Sequence, residues 1–421
     1  MVIQTKGEIH TKSHLAADSA PLRQSSGPLY VYIPGFRASL ESRRYATTYI
    51  ASRVRLARAL DQWMQQSRIR VEDFSEERIQ QFLRYRKKRY VVDRADPRAL
   101  HSLLKHLRDA NVVPSPVSQP KMSPLDHLQA RFAQYLVEQR GLEPSTVKTC
   151  LFYSRRFLFG RFGNGALSLR ELNSRDISRC VLHQARTVSP YTAQQMAKAL
   201  RNLFRFLHQC GDIATDLAEA VPRVANWRLA GLPKHLPADQ IELVLRTCDE
   251  GSRAGQRNQA ILLFLARLGL RASEIVHMTL EDINWEAGEL TIHGKGGRQD
   301  RLPLPRDVGH SLAKYLRCVR PRCACRRVFL CLNAPYQGMR GPSLITYIVN
   351  QALRRAGLNP HPGGKHILRH SLATAMLRRG ALLPQIGEIL RHQSPNTTAI
   401  YANVDLAALR TLAQPWLRGV K

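Results

Sequence analysis

The sequence predicts a mainly α-helical, multidomain chain with one small antiparallel β-sheet in its C-terminal part (α+β). Three observations carry this expectation. Apolar residues recur at helical spacing along most of the chain, two proline-rich breaks divide it, and one stretch reads as a hairpin. The 421 residues are enough for two or three domains with real cores. A hydrophobic content of 44% argues against a wholly disordered chain.

Residues 1–28 close on "APLRQSSGP" and read as a loose, polar N-terminus. A helical module is expected over 29–113. In it, "LESRRYATTYIASRVRLARALDQWM" spaces apolar residues helically with arginines between them. "SEERIQQFLRYRKKRY" opens with Ser75 at an N-cap position, and Glu76 and Glu77 suit the positive end of the helix dipole. Its basic and aromatic tail fits either a solvated face or a DNA-backbone contact. The run "VPSPVSQPKMSP" (113–124) has four prolines and reads as a linker.

A second helical domain is expected over 121–224. Its pieces are "SPLDHLQARFAQYLVEQRG", stopped by Gly141, then "EPSTVKTCLFYSRRFLFGRF" and "SPYTAQQMAKALRNLFRFLHQCG". A second linker, "VPRVANWRLAGLPKHLP" (221–237), leads into a domain over 233–421. There "RNQAILLFLARLG" is a helix stopped at Gly269 and "LRASEIVHMTLEDI" a short helix. "GELTIHGKGGRQDRLPLP" is strand, glycine-rich turn and strand, and helices fill the rest.

Lys plus Arg is 64 against 32 for Asp plus Glu, a formal charge of +32 spread along the chain. Such a surface favours a polyanion, with nucleic acid the first candidate. The longest purely apolar run, "AILLFLA" (260–266), is far too short to cross a bilayer. The N-terminus has no apolar signal-peptide core, so a cytoplasmic, nucleoid-associated protein is expected. Cys318, Cys323, Cys325 and Cys331 lie close together, but their irregular spacing lacks paired C-x-x-C knuckles and favours free thiols over zinc.

The stretch "HILRH" (366–370) sets His366, Arg369 and His370 within one turn. Two histidines four apart fit a metal, but a zinc-protease pattern needs Glu where Ile367 stands. A histidine and an arginine three apart fit a phosphate instead. By itself the stretch is also compatible with incidental basic residues. Around it in the sequence stand Arg271 in "LGLRASE", at a helix start that favours anions, and Lys295, at a glycine-flanked hairpin tip. "EILRHQSPNTTAIYANVD" adds His392 and, nine residues later, Tyr401.

These motifs resemble those of the tyrosine recombinase (phage integrase) family over about 238–404. The first box is "LGLRASEIVHMTLEDI", the lysine hairpin is "GKGGRQDRLPLP", and the second box is "HILRHSLATAMLRRG" with "ILRHQSPNTTAIYANV". The resemblance implies Tyr401 as nucleophile, with Arg271, Lys295, His366, Arg369 and His392 as the other catalytic residues. Glu274 matches a carboxylate that positions Arg271, and His370 is taken as helix packing. Arg391 stands where the family usually has Gly, and Leu268 replaces a smaller or more polar residue. Arg391 is expected either to touch a DNA phosphate or to alter the local turn.

The family resemblance further implies site-specific cutting and rejoining of double-stranded DNA through a 3′-phosphotyrosyl intermediate, for integration, excision or transposition of a mobile element. No cofactor or metal is expected, because arginines and lysine carry the phosphate charge. A homo- or hetero-tetramer on DNA is expected, with no membrane partner. The C-terminal "DLAALRTLAQPWL" would pack on its own domain or dock on a neighbour. A type IB topoisomerase-like relaxation and a non-catalytic DNA-binding regulator are the alternatives.

Overall fold

The computed structural model describes residues 27–88, 95–115, 122–163, 165–225, 234–294, 297–360 and 364–404. These residues are mostly helical, with a single three-stranded antiparallel sheet among them. The apolar side chains gather into separate clusters along the chain, each made from consecutive segments.

The first cluster is built by α1 (Ile33–Ser42), α2 (Thr47–Gln66), α3 (Glu76–Lys87) and α4 (Asp96–Asp109). The arginine-rich stretch that reads as helical is two helices, separated where Arg44 takes φ 58°. Apolar positions at helical spacing build a shared core: Leu60 and Met64 of α2, Phe82 of α3, and Leu103 and Leu107 of α4 belong to one buried cluster. Ser75 caps α3, its hydroxyl accepting the Arg78 N–H at 3.5 Å. The Asp96 carboxylate sits 3.7 Å from buried Arg53, which offsets the cost of burying that guanidinium.

The second cluster comprises α5 (Pro124–Glu138), α6 (Pro144–Phe162), α7 (Ser174–Thr187) and α8 (Pro190–Gln209). Phe132, Phe157, Leu200 and Phe204 form its centre. Gly141 ends the α5 region at φ 55°, a conformation that favours glycine. Proline in the first turn of α5, α6 and α8 costs nothing, because the N–H it lacks would have no helical partner.

The third and largest cluster holds the sheet. It contains α9 (Ala238–Arg246), α10 (Arg253–Arg267), α11 (Ala272–His277), β1 (Ile283–Asn284), β2 (Glu289–His293), β3 (Gln299–Pro303), α12 (Arg306–Lys314) and α13 (Pro342–Arg355). α14 (Gly364–Arg378), α15 (Leu383–Ile389) and α16 (Pro395–Thr398) follow, and a 3-10 turn covers Ala399–Val404. Residues Ala260 to Ala266 of α10 are all buried, as an uninterrupted apolar run requires. α10 packs against α9, α11, α12, α13 and α14, so it is the central post of this part of the chain. The hairpin forms as its alternation predicts: Leu290 pairs with Leu302 and Ile292 with Asp300, burying Leu290 and Ile292 on one face. α12 runs on into a wider turn over Tyr315–Val319, and the Tyr315 hydroxyl accepts the Leu330 N–H at 3.1 Å.

A small satellite cluster joins Ala373 of α14, Ile386 of α15, Leu390 and Tyr401. It fixes the last described turn of the chain against the helix that carries "HILRH". Among the described residues no helix is long and apolar enough to cross a membrane.

Candidate active site

Arg369 lies on α14 and is only 4% exposed, so its guanidinium points into the fold. Nη1 donates to the carbonyl of Gly269 and Nη2 to the carbonyl of Leu390. Gly269 sits at φ 58° just after α10, and Leu390 closes α15. One side chain thereby ties three elements together. Burial comes first, then the charges of Arg271 and Arg391, in lowering its pKa to about 10; it remains cationic at neutral pH.

Arg271 is the N-cap residue of α11. Glu274, three residues on and one turn into the helix, bonds it twice. One carboxylate oxygen accepts the Arg271 backbone N–H at 2.8 Å, and the other accepts Nη1 at 2.7 Å. Nη2 donates to the Arg391 carbonyl at 2.9 Å. The Arg271 side chain is 32% exposed while Glu274 is 3% exposed, so the carboxylate braces from behind and the guanidinium faces solvent. Burial pushes the Glu274 carboxyl up, but Arg391 and the Arg271 bonds outweigh it and hold its pKa below the ordinary value.

Arg391 is buried as well. Its Nη2 lies 3.0 Å from Glu274 and its Nη1 donates to the Ile389 carbonyl at 3.1 Å. Its backbone stands at φ 55° and its side chain turns inward.

Tyr401 is 1% exposed, and its hydroxyl lies 2.8 Å from Nδ1 of His370. Burial pushes the phenol up to about 12, against the pull of Arg369. His370 therefore does more than pack its helix. The ring of His392 lies nearly parallel to that of Tyr401, with centroids 6.5 Å apart, and its Nδ1 is 2.7 Å from the Thr398 hydroxyl. Burial, then Arg369 and Arg271, lower the His392 pKa to about 4, so the ring is neutral at pH 7. A neutral ring held at Nδ1 by a hydroxyl can present Nε2–H as a donor.

Five of the six expected catalytic residues thus lie on α11, α14 or the segment after α15. His366 is one turn before His370, with ring centroids 6.2 Å apart. Lys295 lies outside the described residues, between β2 and β3. Among the described residues no group of three or more His, Cys, Asp or Glu is placed to hold a metal ion. The four clustered cysteines are free thiols.

The arrangement groups braced guanidiniums, a neutral histidine and a buried tyrosine. Residues 234–407 match the model of the phage integrase family. The integrase/recombinase-like protein y4rA of Sinorhizobium fredii is 40% identical over 414 residues, covering 96% of this chain and 98% of its own. The chain belongs to the phage integrase family. Its members are tyrosine recombinases, enzymes that cut and rejoin DNA, and this chain is one of them. The tyrosine recombinase XerD of Listeria monocytogenes is 31% identical to the recombinase over 291 residues, 66% of this chain and 94% of XerD. In fold, the recombinase is similar to the XerH site-specific recombinase in a post-cleavage complex with a palindromic difH substrate. That similarity has TM-score 0.54 and 18% identity, over 71% of this chain and 98% of XerH.

Two residues of the site were not assigned to it by sequence. His370 follows Arg369 directly, and only the return of the chain at 399–404 brings the tyrosine to it. Arg391 is one of many arginines, and nothing local in the sequence marks it as buried.

Proposed function

We propose that Tyr401 is the nucleophile with which this recombinase cuts DNA at a specific site, with Arg271 and Arg369 binding the scissile phosphate. The observation that carries the reading is the grouping of a buried tyrosine hydroxyl, a neutral histidine and two braced guanidiniums on α11, α14 and the segment after α15.

A phosphodiester is anionic and repels nucleophiles, and a phenol attacks only as it loses its proton. Tyr401 Oη forms a bond to phosphorus while the bond from phosphorus to the 5′-oxygen breaks. The phenol proton passes to Nδ1 of His370, the nearest acceptor at 2.8 Å. His366, one turn away, extends that proton path. Arg271 and Arg369 hold the nonbridging oxygens as charge builds in the transition state, and His392 donates a further hydrogen bond. Lys295 gives its proton to the departing 5′-oxygen. The products are a 3′-phosphotyrosyl link and a 5′-hydroxyl. Attack by a partner strand's 5′-hydroxyl reverses the sequence and joins new DNA.

The remaining proposals concern assembly. The three main apolar clusters support a division into 29–113, 121–224 and 233–421, the last carrying the chemistry and the others clamping the duplex. Four protomers, or two pairs of different recombinases, would bring two duplexes together. The DNA-bound lambda integrase dimer is one similar structure, with TM-score 0.51 and 16% identity over 65% of this chain and 94% of that one. The element served would be a mobile one, moved by integration, excision or transposition, in the cytoplasm and on the nucleoid.

Strand exchange is the test. The recombinase is mixed with a labelled fragment library from its source genome and an unlabelled plasmid library, and junctions are sequenced. Tyr401-dependent junctions at a recurring sequence are expected. Relaxation of supercoils with no junctions would overturn the recombination reading in favour of topoisomerase-like religation.

A further inference from the structure

Both candidate phosphate-binding arginines are held by one short turn. The Leu390 carbonyl accepts from Arg369 and the Arg391 carbonyl accepts from Arg271, while the next residue is His392. This turn therefore sets the positions of three groups that would touch the phosphate. It is a tight turn: the Arg391 N–H donates to Glu388 at 2.9 Å and the His392 N–H to Gly387 at 2.8 Å. It also requires φ 55° at residue 391, where glycine would be the comfortable choice and an arginine is strained.

The side chain accounts for the strained residue. The Arg391 guanidinium is 3% exposed and 3.0 Å from Glu274, which is itself 3% exposed. Glu274 belongs to α11, 117 residues earlier, and its other oxygen braces Arg271. The Arg391 guanidinium is committed to Glu274 and to the Ile389 carbonyl. The pair instead links the turn that carries His392 to the helix start that carries Arg271.

We propose that Arg391 is a positioning residue for phosphoryl transfer: its buried ion pair with Glu274 staples the 389–392 turn to the start of α11, fixing Arg271, Arg369 and His392 relative to one another. This rests on the reading that those three residues bind the scissile phosphate. Glu274 thereby serves both guanidiniums, one oxygen taking Arg271 Nη1 and the other Arg391 Nη2.

The test uses the full chain and the variants R391G, R391K, E274Q and R391G/E274Q. Backbone conformation and charge predict opposite orders. Glycine suits φ 55° and lysine does not, so a purely structural role makes R391G the better variant. The staple requires a cation, so R391K is expected to cleave faster than R391G. Single-turnover cleavage of a nicked duplex by R391G is expected to fall on the order of tenfold or more, with DNA affinity within about twofold of wild type. The double variant should be no slower than the slower of R391G and E274Q, because both act through one link.

A second readout does not depend on cleavage. Carboxyl-carbon NMR titration of Glu274 should show its pKa rising in R391G, because the cation opposing its burial is gone. The charged or titratable groups around the pair, namely Arg271, Arg369, His370, His392, Asp300 and Tyr401, are unchanged in that variant. If Glu274 moves in R391G but neither wild type nor variant forms a Tyr401 adduct, the staple stands and the phosphate-binding reading fails. Wild-type cleavage by R391G, or a Glu274 titration that does not move, would overturn the proposal.

Discussion

Gly269 is where backbone geometry and chemistry meet most directly. Its φ of 58° lies in the left-handed region, and its carbonyl accepts a hydrogen bond from Arg369. A Gly269→Ala substitution perturbs the site in two ways. The left-handed conformation costs an L-residue about 1–2 kcal/mol. The added Cβ would also lie 2.7 Å from Leu390 Cδ2 and 3.1 Å from Leu372 Cδ2, so two leucine tips must move within a packed cluster. Overpacking of that kind costs about 1–3 kcal/mol. The total is about 2–5 kcal/mol, with Arg369 displaced as a further consequence. Gly141→Ala is the control: φ is 55° but nothing lies within 4 Å of the new Cβ, so only the conformational part, about 1–2 kcal/mol, applies. Hydrogen exchange read by mass spectrometry across a urea series gives the local stability at α10 and α14 for Gly269→Ala, and at α5 for Gly141→Ala. Cleavage by Gly269→Ala should also slow by on the order of tenfold, since Arg369 loses its anchor. Equal costs at the two glycines, or wild-type stability in Gly269→Ala, would refute the packing argument.

Three further outcomes follow from the site. Replacing His370 with Ala should slow cleavage by roughly 10²–10⁴-fold with DNA affinity kept; a wild-type single-turnover rate would exclude it as the proton acceptor. His392 has a folded pKa of about 4 against 6.5 for the free side chain, so the unfolded chain binds its proton first as pH falls. Stability should therefore drop between about pH 6.5 and 4, by up to about 3 kcal/mol, and urea melts of His392→Gln should show a shallower pH dependence. Cleavage should be undiminished in EDTA, because Arg271, Arg369 and Lys295 answer the phosphate charge; a strict divalent-metal requirement would contradict that division of labour.

The helices, hairpin and box order were legible because they depend on local pattern. Apolar period marks α10, Ser75 marks the start of α3, and Gly141 and Gly269 mark left-handed stops, each within a few residues of the signal. The break between α1 and α2 was not legible, since the apolar spacing continues across it and only Arg44's positive φ interrupts the helix. The site was legible in its residue types and less so in its contacts. Glu274 was assigned to Arg271 through the family resemblance, and the two lie three residues apart at one helix start. The His370–Tyr401 bond and the Arg391–Glu274 pair span 31 and 117 residues, distances at which no periodicity operates. Arg391 in particular carries a residue type that suggests a surface cation, and the pair with Glu274 on a distant helix holds it inward.

The central claim is that Tyr401 becomes covalently joined to DNA. The most direct measurement is trapping: wild type and Tyr401→Phe are incubated with a nicked duplex library, denatured, and the protein-linked DNA is recovered and its ends sequenced. The substitution removes one hydroxyl and its bond to His370, a loss of about 1 kcal/mol that leaves the fold intact. The account predicts a 3′-linked adduct at a recurring sequence from wild type and none from Tyr401→Phe. An equal adduct from both proteins, or a 5′ linkage, would contradict it.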